Sequence, residues 1–275
     1  MDVLSLPILL LFALIGSLAG VLAGLFGIGG GIILIPIFLI IFKLVGFAPD
    51  IIVHAAFGTS LAIIIPTAIS SALGHRRRGN VNWRQVGRMA LGSIAGVAVG
   101  SSLAAVLSGD MLKASFGLMQ IATGVRMLMH RTEHLPPEEP DYSPLLPMLL
   151  TGFAVGAFSS FFGVGGGVIA VPMMVILLRQ PFHLAVGNSS GLMVVSALIG
   201  ATSYVLHGWG RPELPPYSVG YVNLLVTLLI APTTIISARL GVRLASRLSR
   251  DKLSKAFAWF IITVGIYMFA MFLRR

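Results

Sequence analysis

The chain has 275 residues, 56% of them hydrophobic and only 10% charged, with a mean hydropathy of +0.96. Soluble domains carry nearer a quarter charged residues, so these figures exclude an ordinary soluble domain and indicate an all-α polytopic membrane protein. There is no cysteine, which excludes a disulfide framework or thiolate metal site, and the net charge of +10 lies in loops beside apolar runs, where it signals membrane topology and not nucleic-acid binding.

Ten apolar segments are expected, at about 4–23, 28–42, 51–73, 85–107 and 112–129, then 145–161, 164–178, 184–206, 217–236 and 253–273. The start Met1-Asp2-Val3 has no basic region, so the first run is expected to be retained as a span. The second and seventh segments are shorter than the roughly 20 residues of a full span. They are either tilted or half-helices of re-entrant hairpins.

Each short segment is opened by a glycine run. The first reads Leu25-Phe26-Gly27-Ile28-Gly29-Gly30-Gly31, then four apolar residues and Pro36; the second reads Phe161-Phe162-Gly163-Val164-Gly165-Gly166-Gly167, then four apolar residues and Pro172. Glycine permits tight turns and leaves backbone N–H groups unshielded. N–H groups at a helix start form an anion site reinforced by the helix dipole. In lipid, such non-helical backbone is tolerated only where protein or a water-filled cavity satisfies it.

The repeat continues past the glycines. His54 to Ser60 matches His183 to Ser189, Val81-Asn82 matches Val222-Asn223, and Gly124 falls opposite Gly265. Two units follow, 1–130 and 143–275, joined by a polar, proline-rich linker at 131–142. Each unit holds five segments, an odd number, so the second is expected to be inverted relative to the first. Charge agrees: the loops around Arg76-Arg77-Arg78 and Arg239 to Lys255 are basic, whereas their repeat counterparts are not. The basic loops are therefore expected in the cytoplasm and both termini outside.

These paired motifs resemble the sulfite exporter TauE/SafE family, also called the toluene-sulfonate uptake permease family, over essentially the whole chain. The resemblance implies an inner-membrane transporter of sulfur-containing anions such as sulfite, sulfoacetate or sulfonates.

For an anion, the backbone of Gly29, Gly30, Gly31, Gly165, Gly166 and Gly167 would supply N–H donors, and Thr59, Ser60, Asn188 and Ser189 side-chain donors. The alternative for these hydroxyls is a bond to their own or a neighbouring helix. Asn82 and Asn223 are expected to cap helices. His54 and His183 are either titrating gates or interfacial anchors. All nine acids lie at termini, in loops or at span ends, which disfavours a carboxylate proton relay. Without a hydrolase or zincin motif, an enzyme is not expected, and no cofactor is implied. The partners implied are a small anionic substrate and the lipid bilayer, with a homodimer as a candidate assembly.

Overall fold

The computed structural model describes residues 6–26, 29–129, 144–244 and 250–273. Among the described residues there are ten helices: α1 (Leu6–Phe26), α2 (Gly31–Leu44), α3 (Ile52–Arg76), α4 (Trp83–Val106), α5 (Gly109–Met129), α6 (Leu145–Phe162), α7 (Gly167–Ile176), α8 (Phe182–His207), α9 (Leu224–Leu244) and α10 (Arg250–Leu273). The linker at 131–142, Gly27 and Ile28 lie outside the described residues.

Five of these helices, α3, α4, α6, α8 and α9, are long and apolar enough to cross a membrane. The chain is a polytopic helical membrane protein. At 1.5 Å per residue, α7 is about 15 Å long and α2 about 21 Å, and neither matches the roughly 30 Å of a hydrocarbon core. The segments behind the glycine runs are thus too short to span.

The ninth segment departs from its expected start at residue 217. Tyr217 and Gly220 have positive φ (64° and 54°), and Ser218–Val219 pairs antiparallel with Val222–Asn223. Helix α9 begins only at Leu224, where the Asn223 side chain accepts the Val226 N–H at 3.0 Å. It then continues past the expected end at 236 to Leu244, carrying Arg239 and Arg243 on its last turns.

Helices α3 and α8 form the centre and pack on each other. Their apolar windows are 78% and 72% buried, against 39% for α4, α6 and α9, which present apolar side chains outward as lipid-facing helices do. Around this centre α1 packs on α9, α4 on α6, and α5 on α10. Small residues four apart set the two tightest contacts. A Cβ at Gly92, Gly96 or Gly100 would stand 2.0 to 2.1 Å from the carbonyl oxygens of Leu149, Phe153 or Ala157. The same holds of Gly24 and Gly241 against the Ala238 and Val21 oxygens, both 2.0 Å. Such stripes let helix backbones touch without side chains between them. Both pairs run parallel, because contact positions rise together along the two chains.

The basic turn after α3 and the basic end of α9 lie at one end of the molecule. Arg78 donates to the Val242 carbonyl, and His75 Nε2 reaches the Gly24 carbonyl at 3.3 Å. Helices α1, α3 and α9 therefore finish together. At the same end α4 begins beside α8, because the Asn82 N–H donates to Asn188 Oδ1 at 2.8 Å.

Candidate functional site: two glycine turns face each other

Each glycine run forms a left-handed turn that restarts the helix. Gly29 and Gly30 both have φ 76°; Gly165 and Gly166 have φ 77° and 78°. Only glycine adopts this geometry without steric cost, which explains two of the three consecutive glycines. Gly30 and Gly166 are the N-caps of α2 and α7, and neither helix has a side-chain cap. The Gly30 carbonyl accepts from Ile33 and Leu34, and the Gly166 carbonyl from Ile169 and Ala170, so the two turns have matching hydrogen-bond patterns.

The turns meet. A Cβ on Gly31 would lie 2.7 Å from Val164 Cα and 3.0 Å from the Gly163 oxygen. Gly31 is therefore needed for close backbone approach. Each turn also folds back on its own preceding helix: a Cβ on Gly30 would be 2.9 Å from the Ala19 oxygen, and one on Gly166 2.8 Å from the Val155 oxygen. Both turns lie level with the middle of the central helices, against Ile64 of α3 and Met193 of α8.

The side chains named from the sequence separate into two groups. Thr59, Ser60, Asn188 and Ser189 are all fully buried on α3 and α8. Ser60 Oγ has no hydrogen-bond partner among the described residues, and it sits one helical turn before Ile64 on the same face. Ser159 Oγ, likewise buried and without a partner among the described residues, belongs to a residue whose Cβ borders Gly166. Ser196 Oγ reaches the Gly165 carbonyl at 3.4 Å.

Thr59 and Asn188 are engaged elsewhere. Thr59 Oγ1 accepts the Asn223 N–H at 3.0 Å. Asn188 accepts the Asn82 N–H and donates to Gln85 Oε1 (2.9 Å) and Gln180 Oε1 (3.1 Å). Both tie the extended segments before α9 and α4 to the central helices. Asn82 also caps α4, accepting the N–H groups of Arg84 and Gln85. The expected capping role of both asparagines holds.

The two histidines occupy unlike places. His183 is exposed and lines a cleft of about 620 Å³ with Asn80, Asn82, Trp83 and Pro181, at the end that carries the basic turn after α3. His54 is buried near the start of α3, its Nε2 bonds the Ala104 carbonyl at 3.1 Å, and its ring stacks on Tyr221. Arg211 covers the Tyr221 ring at 5.5 Å. Burial pushes the Tyr221 phenol above its usual range, with Arg211 opposing, so the ring there stays neutral. One end of the molecule thus opens into a cleft, while the matching place at the other end is filled by an aromatic stack.

Gln85, Gln180, Ile64 and Met193 were not singled out from the sequence. The last two were within reach, because each follows its repeat-matched Thr59 or Asn188 by five residues. Among the described residues no group of three or more His, Asp or Glu side chains could hold a metal ion.

Paired helix breaks inside a bundle of apolar helices define the class: a polytopic membrane transporter built around broken helices. Comparison with known proteins supports that assignment and narrows it. Residues 12–268 match the family model described as sulfite exporter TauE/SafE. The chain belongs to that family. It is 32% identical to a probable membrane transporter protein of Haemophilus influenzae over 95% of this chain and 98% of that one. A probable membrane transporter protein of Methanocaldococcus jannaschii is 30% identical, covering 96% of each chain. The probable membrane transporter protein YunE of Bacillus subtilis is 24% identical over 93% and 95%.

Proposed function

We propose that the chain is a secondary transporter or facilitator of the cell inner membrane that exports small sulfur-containing anions, such as sulfite, sulfoacetate or an organosulfonate. The anion binds between the two glycine turns near mid-membrane, held by backbone N–H groups at the starts of α2 and α7 and by nearby hydroxyls. One observation carries this reading: two turns of matching geometry bring two helix N-termini to a common centre. N-terminal dipoles and unshielded N–H groups favour negative charge. The family description, sulfite exporter, supports the sulfur-anion class.

In this reading the units 1–130 and 143–275 are inverted repeats. Supporting it, α1, α3 and α9 finish at the end where α4 and α8 begin, so α3 and α4 run opposite to their counterparts α8 and α9. Inversion places equivalent surfaces on the two sides of the membrane, as alternating access requires.

The test is thermal stabilisation of the purified protein by a panel of sulfite, sulfoacetate, alkyl sulfonates and carboxylates. A ligand at about 100 times its dissociation constant adds roughly 2.7 kcal/mol to stability. The expected result is a shift with a sulfur anion that is lost in Gly30→Ala plus Gly166→Ala. Absence of any shift in well-folded protein, with no anion flux in liposomes, would replace transport by a scaffold role. Flux directed inward under physiological gradients would make it an uptake permease.

A further inference from the structure

We infer that Ile64 and Met193 together form an apolar plug between the glycine turns, and that their bulk sets which anions pass. The inference rests on the proposed anion site. The two residues occupy matching places on the two central helices and are 0% and 1% exposed. A Cβ on Gly29 would lie 2.9 Å from Met193 Sδ and 3.4 Å from Ile64 Cγ2; one on Gly165 would lie 3.0 Å from Ile64 Cγ2 and 3.3 Å from Met193 Sδ. The same two side chains therefore cover both turns. Ile64 Cδ1 also lies 3.1 Å from the Cβ position of Gly31.

An anion that uses the turn N–H groups must displace this cover. The two side chains differ in how readily they move. Isoleucine is branched at Cβ and stiff about its first torsion, whereas methionine has three rotatable bonds and adapts its shape. Met193 is the part that swings aside, and Ile64 is the fixed wall. The hydroxyl of Ser60, without a partner among the described residues and one turn from Ile64 on the same helix face, becomes available to an anion once Met193 has left. The volume freed is that of one flexible side chain, which admits a sulfite or a methanesulfonate and hinders an aromatic sulfonate.

The experiment measures initial flux of sulfite, methanesulfonate and benzenesulfonate in liposomes for the wild type, Ile64→Ala, Met193→Ala and Met193→Ile. Removing wall or plug should raise the ratio of benzenesulfonate to sulfite flux by about tenfold or more, the scale of discrimination by a few methylenes in a packed site. Met193→Ile, which keeps the apolar bulk but stiffens it, should slow all three anions together. Unchanged ratios in folded, active alanine variants would overturn the inference, as would unchanged turnover in Met193→Ile. If the alanine variants do not fold, the Met193→Ile result decides alone. If the wild type moves none of the three, and Gly30→Ala plus Gly166→Ala behaves identically, the transport reading itself has failed.

Discussion

Thr59 Oγ1 accepts the backbone N–H of Asn223 at 3.0 Å, and the partner pair in the other half, Asn188 Oδ1 and the Asn82 N–H, meets at 2.8 Å. Each bond runs from a central helix of one half to the capping asparagine of the other half. The two halves of the chain are therefore laced together reciprocally, next to glycines that make room for the crossing strands: a Cβ at Gly58 would lie 2.7 Å from the Tyr221 oxygen, and one at Gly187 1.7 Å from the Asn80 oxygen.

These two bonds should not be equally important for stability. Thr59→Val strands one buried N–H, which costs about 1–3 kcal/mol. Asn188→Leu strands the Asn82 N–H and also removes the donors to Gln85 and Gln180, so its cost should be clearly larger. Thermal unfolding in detergent checks the order. Equal shifts would mean that the buried amide cluster rearranges without loss.

Alanine at Gly31 and at Gly30 should do harm for different physical reasons. Gly31 has no positive φ, so alanine there is not strained by its backbone, but its Cβ would press on Val164 Cα at 2.7 Å. Gly30→Ala adds a left-handed strain of about 1–2 kcal/mol. The expected outcome is that both variants lower melting temperature and anion flux, Gly31→Ala by forcing the two turns apart and Gly30→Ala by strain and crowding within one turn; an unchanged melting temperature in Gly31→Ala would mean that the turns part without loss. Flux assays paired with unfolding curves decide this.

Glycine stripes predict where bulk is forbidden. At Gly152 a Cβ would stand 1.8 Å from the Met89 oxygen, and at Gly96 2.0 Å from the Phe153 oxygen. Leucine at either place should prevent α4 and α6 from docking and abolish monodisperse protein on size exclusion. Gly87, on the same helix α4, has nothing within 4 Å of its Cβ position. Alanine there should stabilise by about 0.5–1 kcal/mol through higher helix propensity.

Chemical modification should distinguish the repeat-matched histidines. His183 is exposed in the cleft and His54 is buried under Tyr221. Diethyl pyrocarbonate followed by mass spectrometry should label His183 and spare His54. Comparable labelling of both would show that the stack around Tyr221 opens readily.

Driving force gives a last prediction. Moving one charge across 100 mV is worth about 2.3 kcal/mol, and a divalent anion leaving a negative interior gains about twice that. If efflux is driven by the membrane potential, collapsing the potential with valinomycin and potassium should slow export of the charged substrate. Unchanged efflux would point to coupling with another ion.

Much of the architecture follows from local chemistry written along the chain. Hydrophobic runs must be helical in lipid, because no other open structure satisfies the backbone there. The left-handed turns follow from consecutive glycines, and the caps from Asn82 and Asn223, since both depend on residues adjacent in sequence. Repetition shows that what happens at Gly29 to Gly31 happens again at Gly165 to Gly167. Tertiary packing decides the rest. Thr59 and Asn188 carry donors suited to an anion, yet contacts 164 and 106 residues away occupy them. His54 and His183 are equivalent in the repeat but differ in exposure, because Tyr221 and Arg211 cover only one of them. The occupants of the space between the turns, Ile64 and Met193, carry no polar signature, and their position becomes visible only when two distant helices are packed together. Conformation at a turn is a property of a few bonded residues, whereas access to it is a property of everything that the fold packs around it.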